Sequence, residues 1–224
     1  LSERGPIMSA KSGKPKSTPF YTLGEEITNS ITHGIGAGMA IAGLVVLLVQ
    51  SKDAWQAVSS AIYGSSMIFL FLMSCLYHAL TNPTAKKVFR VFDHTSIFFL
   101  IAGTYTPFTL VTLRGWVGWT VFGVVWGVAI LGIVLNSISI ERFKKISMVG
   151  YIASGWCVVA AIVPLVQRMA LPGVILLILG GVFYTVGILF YRKKGVRFMH
   201  AFWHMFVLAG AVLHYFCILF YVVG

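Results

Sequence analysis

Seven long apolar runs, each about 20 residues or more and separated by short polar breaks, dominate the chain. They fall at about 27–50, 56–80, 91–113, 116–138, 146–166, 171–191 and 198–223. The breaks include Ser51-Lys52-Asp53, Thr81-Asn82-Pro83, Arg114-Gly115, the Glu141 to Lys145 segment, Gln167-Arg168 and Arg192-Lys193-Lys194-Gly195. A helix needs about 20 mostly apolar residues to cross the hydrocarbon layer. Lipid offers no partner for an open backbone, so unbroken apolar runs predict helices rather than an open sheet. The pattern predicts an all-α integral membrane protein, a seven-transmembrane-helix bundle forming one domain over 22–224. Thr22-Leu23-Gly24-Glu25 has the pattern of a capping box at the start of the first helix. Pro107 predicts a bend in the third.

Composition narrows the class. Of 224 residues, 58% are hydrophobic and 10% charged, with a mean hydropathy of +0.88. Soluble domains carry about 25% charged residues, so a soluble enzyme, a DNA-binding module and a disordered chain are all excluded. The net charge of +11 has another origin than nucleic acid. Fourteen of the 17 Lys and Arg fall in the N-terminal segment and the second, fourth and sixth breaks. By the positive-inside rule this predicts a cytoplasmic N-terminus and an extracytoplasmic C-terminus. The segment 1–21 is basic and rich in Ser, Lys, Gly and Pro, a composition that predicts disorder. Leu1 to Ile7 read as residues ahead of a natural start at Met8, and no cleavable signal peptide is visible. Cys75, Cys157 and Cys217 are far apart within apolar runs, which is no disulfide or metal-knuckle pattern.

Ionisable groups in a membrane span are costly and usually mark function. Here they share one depth. Glu26, Asn29 and His33 begin helix 1; Ser74 and His78 end helix 2; Asp93 and His94 begin helix 3; His200 and His204 begin helix 7. On the predicted topology all lie in the cytoplasmic third, and only His214 is deeper, by about 15 Å. His200 and His204, four apart, project from one helical face, as in helices that bind a single metal ion. His78 can supply a third ligand at that depth, and Asp93 can reach toward the same point. Three histidines with an open position suit catalytic zinc rather than structural zinc. Ser74 lies one turn deeper than His78 and can support the site or simply bond a backbone. Glu26, Asn29 and His33 form a stripe that can clamp helix 1 to the site through hydrogen bonds. His94 and His214 read as an interfacial and a core histidine.

These residues also carry a resemblance. Glu26-x-x-Asn29-x-x-x-His33, Ser74-x-x-x-His78 followed by Asp93, and His200-x-x-x-His204 resemble, in order, the motifs of the hemolysin III branch of the progestin and adiponectin receptor (PAQR) family. The resemblance covers all seven runs. It implies a seven-helix fold with Zn2+ near the cytoplasmic face, held by His78, His200 and His204. It further implies a water-contacting Asp93, a supporting Ser74, and residence in a bacterial cytoplasmic (inner) membrane with lipid as the partner. Its eukaryotic members look like lipid amide hydrolases and receptors; its bacterial members carry a hemolysin label.

Three functions follow as expectations. The first is a zinc-dependent hydrolase of a lipid acyl amide or ester, with Asp93 moving the proton. The second is a non-enzymatic hemolysin or membrane-lipid homeostasis effector with structural zinc. The third is a zinc or proton transporter, for which polar groups along a path are normally needed and only His214 lies deeper. No nucleic-acid partner is expected.

Overall fold

On the first helix the polar residues face inward and the apolar ones outward. Asn29 and His33 are buried, while Ile27, Ile31 and Ile35 are 50–57% exposed. A helix in water shows the reverse arrangement; in lipid this one is stable because hydrocarbon solvates the isoleucines and the protein interior meets the polar groups. The computed structural model describes residues 21–193 and 195–224. Most of the basic segment 1–21 therefore lies outside the described residues, as does Lys194.

Among the described residues all regular structure is helical: α1 Leu23–Gln50, α2 Ala54–Ala79, α3 Pro83–Pro107, α4 Trp116–Gly155, α5 Ile162–Arg168, α6 Leu171–Arg192 and α7 Met199–Ile218. Thr22 caps α1 in a capping box closed by Glu25. Asn82 caps α3, with Pro83 in the first turn where its missing N–H is harmless. Helix 3 thus begins eight residues before the apolar run that announces it, and Lys86 and Arg90 belong to its first turns. Helix 3 continues through Pro107 into a wide π turn, Phe108–Thr112. Helices 1–2, 2–3, 3–4 and 6–7 pack as neighbours, and α7 returns beside α1 to close the bundle.

Among the described residues, six helical stretches are long and apolar enough to cross a membrane. The sequence pattern suggests seven runs, and the difference lies in Trp116–Arg168, one 53-residue stretch that carries two of them. It is not straight. Ser139 has extended backbone angles inside α4, and its hydroxyl accepts the Arg142 N–H at 3.3 Å, an N-cap for a second limb. Ser147 then donates to Asn136 at 2.5 Å, and Asn136 to the Tyr151 hydroxyl at 3.1 Å. Residues 136 and 147 would be about 16 Å apart along an unbroken helix. Positions 116–138 and 140–155 are therefore two limbs of a hairpin, with Gly132 and Gly150 both against the Phe98 ring.

Candidate metal centre

The site is assembled where the starts of α1, α3 and α7 meet the end of α2. Glu25 ties two of these together: it closes the α1 cap and accepts the Phe198 N–H at 2.9 Å, one residue before α7. Phe198 has a left-handed backbone (φ 61°), which turns the chain into α7 at the depth of Glu25. His200 and His204 therefore enter the bundle beside the first turns of α1.

His78, His200 and His204 converge. One ring nitrogen from each lies within 4.8 Å of the others, and the ring centroids are 4.6–5.2 Å apart. His78 Nδ1 donates a hydrogen bond to a Glu26 carboxylate oxygen at 2.6 Å. His204 Nδ1 donates to the Asn29 carbonyl at 3.2 Å, with the Thr32 hydroxyl 3.3 Å away. Each bond fixes the tautomer and leaves the Nε2 lone pair for another partner. The Nε2 atoms of His78 and His200 are buried with no protein partner. Buried polar groups normally find a partner, and a ring nitrogen with its other nitrogen held by a carboxylate or carbonyl is how proteins prepare a histidine for a metal. The three residues fit a divalent ion that accepts imidazole.

The remaining expected residues are gathered at the same place in different ways. Asp93 pairs with His94 at 3.3 Å and lies beside Ser74, within electrostatic reach of His78. The Ser74 hydroxyl is buried and completes no hydrogen bond. The helix 1 stripe clamps the site, but not uniformly through hydrogen bonds. Glu26 and Asn29 do so, whereas both nitrogens of His33 are unpartnered. His33 instead stacks on His204, with centroids 3.6 Å apart and planes 10° from parallel, and meets Phe71 edge-on. His33 thus presents its ring face, not a nitrogen, to His204.

Several neighbours of the cluster are missed by the sequence pattern. Lys86 pairs with Glu26 at 2.8 Å and lies over the Tyr77 ring. Tyr21 lies 5.1 Å from the His200 ring and Tyr191 6.0 Å from it. The helix-start signal at Asn82-Pro83 is the one clue to Lys86, since it moves that residue from a loop onto α3. His94 bonds the Arg90 carbonyl at 3.0 Å and His214 the Leu177 carbonyl at 3.0 Å, both away from the cluster.

Beside the cluster runs a cavity of about 180 Å³, walled by α3, both limbs of α4, α6 and α7. Its wall extends from Arg90 on α3 through the π turn to Leu113, and it is mostly apolar, with Leu100, Ile101, Phe108 and Val207 among its residues. His94, Tyr191 and Trp203 border both it and the histidine cluster's surroundings, but none of the three clustered histidines lines it.

Fold and site together define a multi-pass helical membrane protein with a largely buried three-histidine cluster able to hold a metal ion. The model for the family described as Haemolysin-III related matches residues 21–215, and the chain belongs to that family. It is 44% identical over 201 residues to Hemolysin-3 of Bacillus cereus, covering 88% of this chain and 92% of that protein. It is 43% identical to the Hemolysin-3 homolog of Bacillus subtilis (strain 168), covering 91% and 97%. A more distant relative is the monocyte to macrophage differentiation factor of Homo sapiens, 27% identical over 88% of this chain and 84% of that protein. All the motif residues named above fall inside the matched region.

Proposed function

We propose that this protein is a zinc-dependent hydrolase of a lipid acyl amide or ester, acting near the cytoplasmic leaflet of a bacterial inner membrane. The observation that carries the reading is the pair of buried, unpartnered Nε2 atoms on His78 and His200, beside His204 and within one cluster. Three neutral imidazoles favour zinc with an open position. When bound, zinc supplies a Lewis acid and a water of lowered pKa. Glu26 is balanced by Lys86, so Asp93 is the carboxylate whose charge offsets a divalent ion. Asp93 orients the reacting water and carries its proton to the leaving group. Ser74 supports Asp93. Glu26 and Asn29 hold two of the imidazoles, and His33 holds the face of His204. The apolar cavity takes the acyl chain and keeps water from it.

In the test, purified zinc-loaded protein is given a panel of acyl amides and esters, and free fatty acid is measured. Release lost in His200→Ala is expected. No release from any member by protein holding one zinc per chain would overturn the reading. The name of the relatives favours a second reading, a lytic or lipid-sensing effector in which the ion only locks α1, α2 and α7 together. Permeabilisation of vesicles that survives His200→Ala would remove the metal from that role.

The same reading gives the chain seven crossings, the two limbs of α4 each counting as one, with the N-terminus cytoplasmic. Glu141→Cys, at the hairpin tip, is then labelled by an impermeant maleimide from the cytoplasmic side only, and Lys52→Cys from the other side only. Labelling of both positions from one side would sink the seven-crossing topology.

A further inference from the structure

A second polar pair lies in the cavity, well away from the histidine cluster. His214 is ten residues beyond His204 on α7, about 15 Å deeper and roughly a dozen methylenes away. Its Nε2 donates to the Leu177 carbonyl at 3.0 Å, which leaves Nδ1 as an acceptor. That Nδ1 is buried and unpartnered. Tyr184 of α6 meets the imidazole edge-on, with centroids 5.3 Å apart, and its hydroxyl is also buried and unpartnered. Both residues line the cavity.

The pair differs from four other hydroxyls on that wall. Thr104, Thr109 and Thr185 each donate to a carbonyl of their own helix, and Tyr105 donates to the Gly155 carbonyl. Nor are the two rings free to turn away. A Cβ at Gly180 would collide with the His214 ring, and one at Gly210 would meet the Tyr184 ring at 2.8 Å. These two glycines let α6 and α7 approach closely enough to hold both rings in place.

One unpartnered acceptor and one unpartnered donor on neighbouring rings match a hydroxyl, which needs one of each. A water has the same complement, but buried waters typically make about three hydrogen bonds, and here the pair offers two, the Thr104, Thr109 and Thr185 hydroxyls already donating within their own helices. A hydroxyl carried on a hydrocarbon chain satisfies the pair and fills the cavity on both sides. We infer that Tyr184 and His214 anchor the hydroxyl of a lipid acyl chain hydroxylated near its middle. The hydroxyl donates to His214 Nδ1 and accepts from the Tyr184 O–H. This refines the lipid reading above, but it concerns binding and does not require turnover.

The test is a competition between stearate, 12-hydroxystearate and 2-hydroxystearate, equimolar, for the purified full-length protein in detergent micelles. Bound lipid is read by native mass spectrometry. About a five- to tenfold excess of bound 12-hydroxystearate over stearate is expected, the worth of one well-made buried hydrogen bond. Tyr184→Phe removes only the hydroxyl; it brings the ratio close to one while stearate binding and thermal midpoint stay unchanged. The 2-hydroxy isomer, with its hydroxyl at the head, gains nothing that depends on Tyr184. Parity in the unaltered protein would mean that a water, or nothing, occupies the pair. A preference that survives Tyr184→Phe would also overturn the inference. Binding of no acyl chain at all would end the acyl-cavity reading along with this one, whereas binding without hydrolysis would end the enzyme reading alone.

Discussion

Replacing His204 by alanine is expected to weaken zinc binding by more than about 100-fold, beyond the 10–100-fold typical of losing an orienting partner. Purified protein that carries about one zinc per chain would lose nearly all of it on dialysis, as read by elemental mass spectrometry. The magnitude follows from what surrounds the ring. His204 is 1% exposed, and the ring packed directly on it is that of His33. His33 lies flat against it and offers its face rather than a nitrogen. Three further variants fix the assignment. Glu26→Gln keeps the size of the side chain but removes the carboxylate charge that holds the His78 proton, so affinity falls about 10–100-fold. His94→Ala and His214→Ala leave zinc unchanged, because their hydrogen bonds run to Arg90 and Leu177 carbonyls away from the cluster. Equal loss in His204, His94 and His214 variants would show that the ligands are wrongly assigned. A helical circular dichroism spectrum retained by His204→Ala separates metal loss from misfolding.

Depth is the property that the sequence makes legible, and depth alone gathers most of the candidate site. The apolar runs set where each helix enters the membrane, and rise per residue then puts His33, His78, Asp93 and His204 in one layer. The four-residue spacing of His200 and His204 adds a shared face. Rotation about each helix axis is not contained in these counts. That is why Glu26 meets Lys86 and His78 at once, and why His33 ends in a stack rather than a hydrogen bond. The hairpin at Ser139 is legible as a polar break, but that the chain turns back there through one extended residue is not. The cavity has no signature in the sequence. It lies between α3, the two α4 limbs, α6 and α7, elements that only the tertiary packing brings around one space.

The acid–base role gives the second large effect. Asp93→Asn is expected to lower lipid hydrolysis by about 10²–10⁴-fold, the usual contribution of a positioned proton carrier, with zinc content unchanged. The expectation rests on position and charge. Helix 3 starts at Pro83, so Asp93 is about 15 Å along it and inside the bundle, with only 15% of its side chain exposed. A carboxylate at that depth is costly unless something nearby favours it. Its close neighbours are His94, at 3.3 Å, and Ser74, with His78 within electrostatic reach. Asparagine keeps the shape and can still accept a hydrogen bond, but it cannot take a proton, so kcat falls while KM is little altered. Ser74→Ala is the matched comparison. Its hydroxyl completes no bond in the structure, and its loss costs at most about tenfold, the scale of a single hydrogen bond. If Asp93→Asn hydrolysed as well as the unaltered protein while Ser74→Ala did not, the proton would have to travel through the serine instead, and the carboxylate would serve only to balance charge.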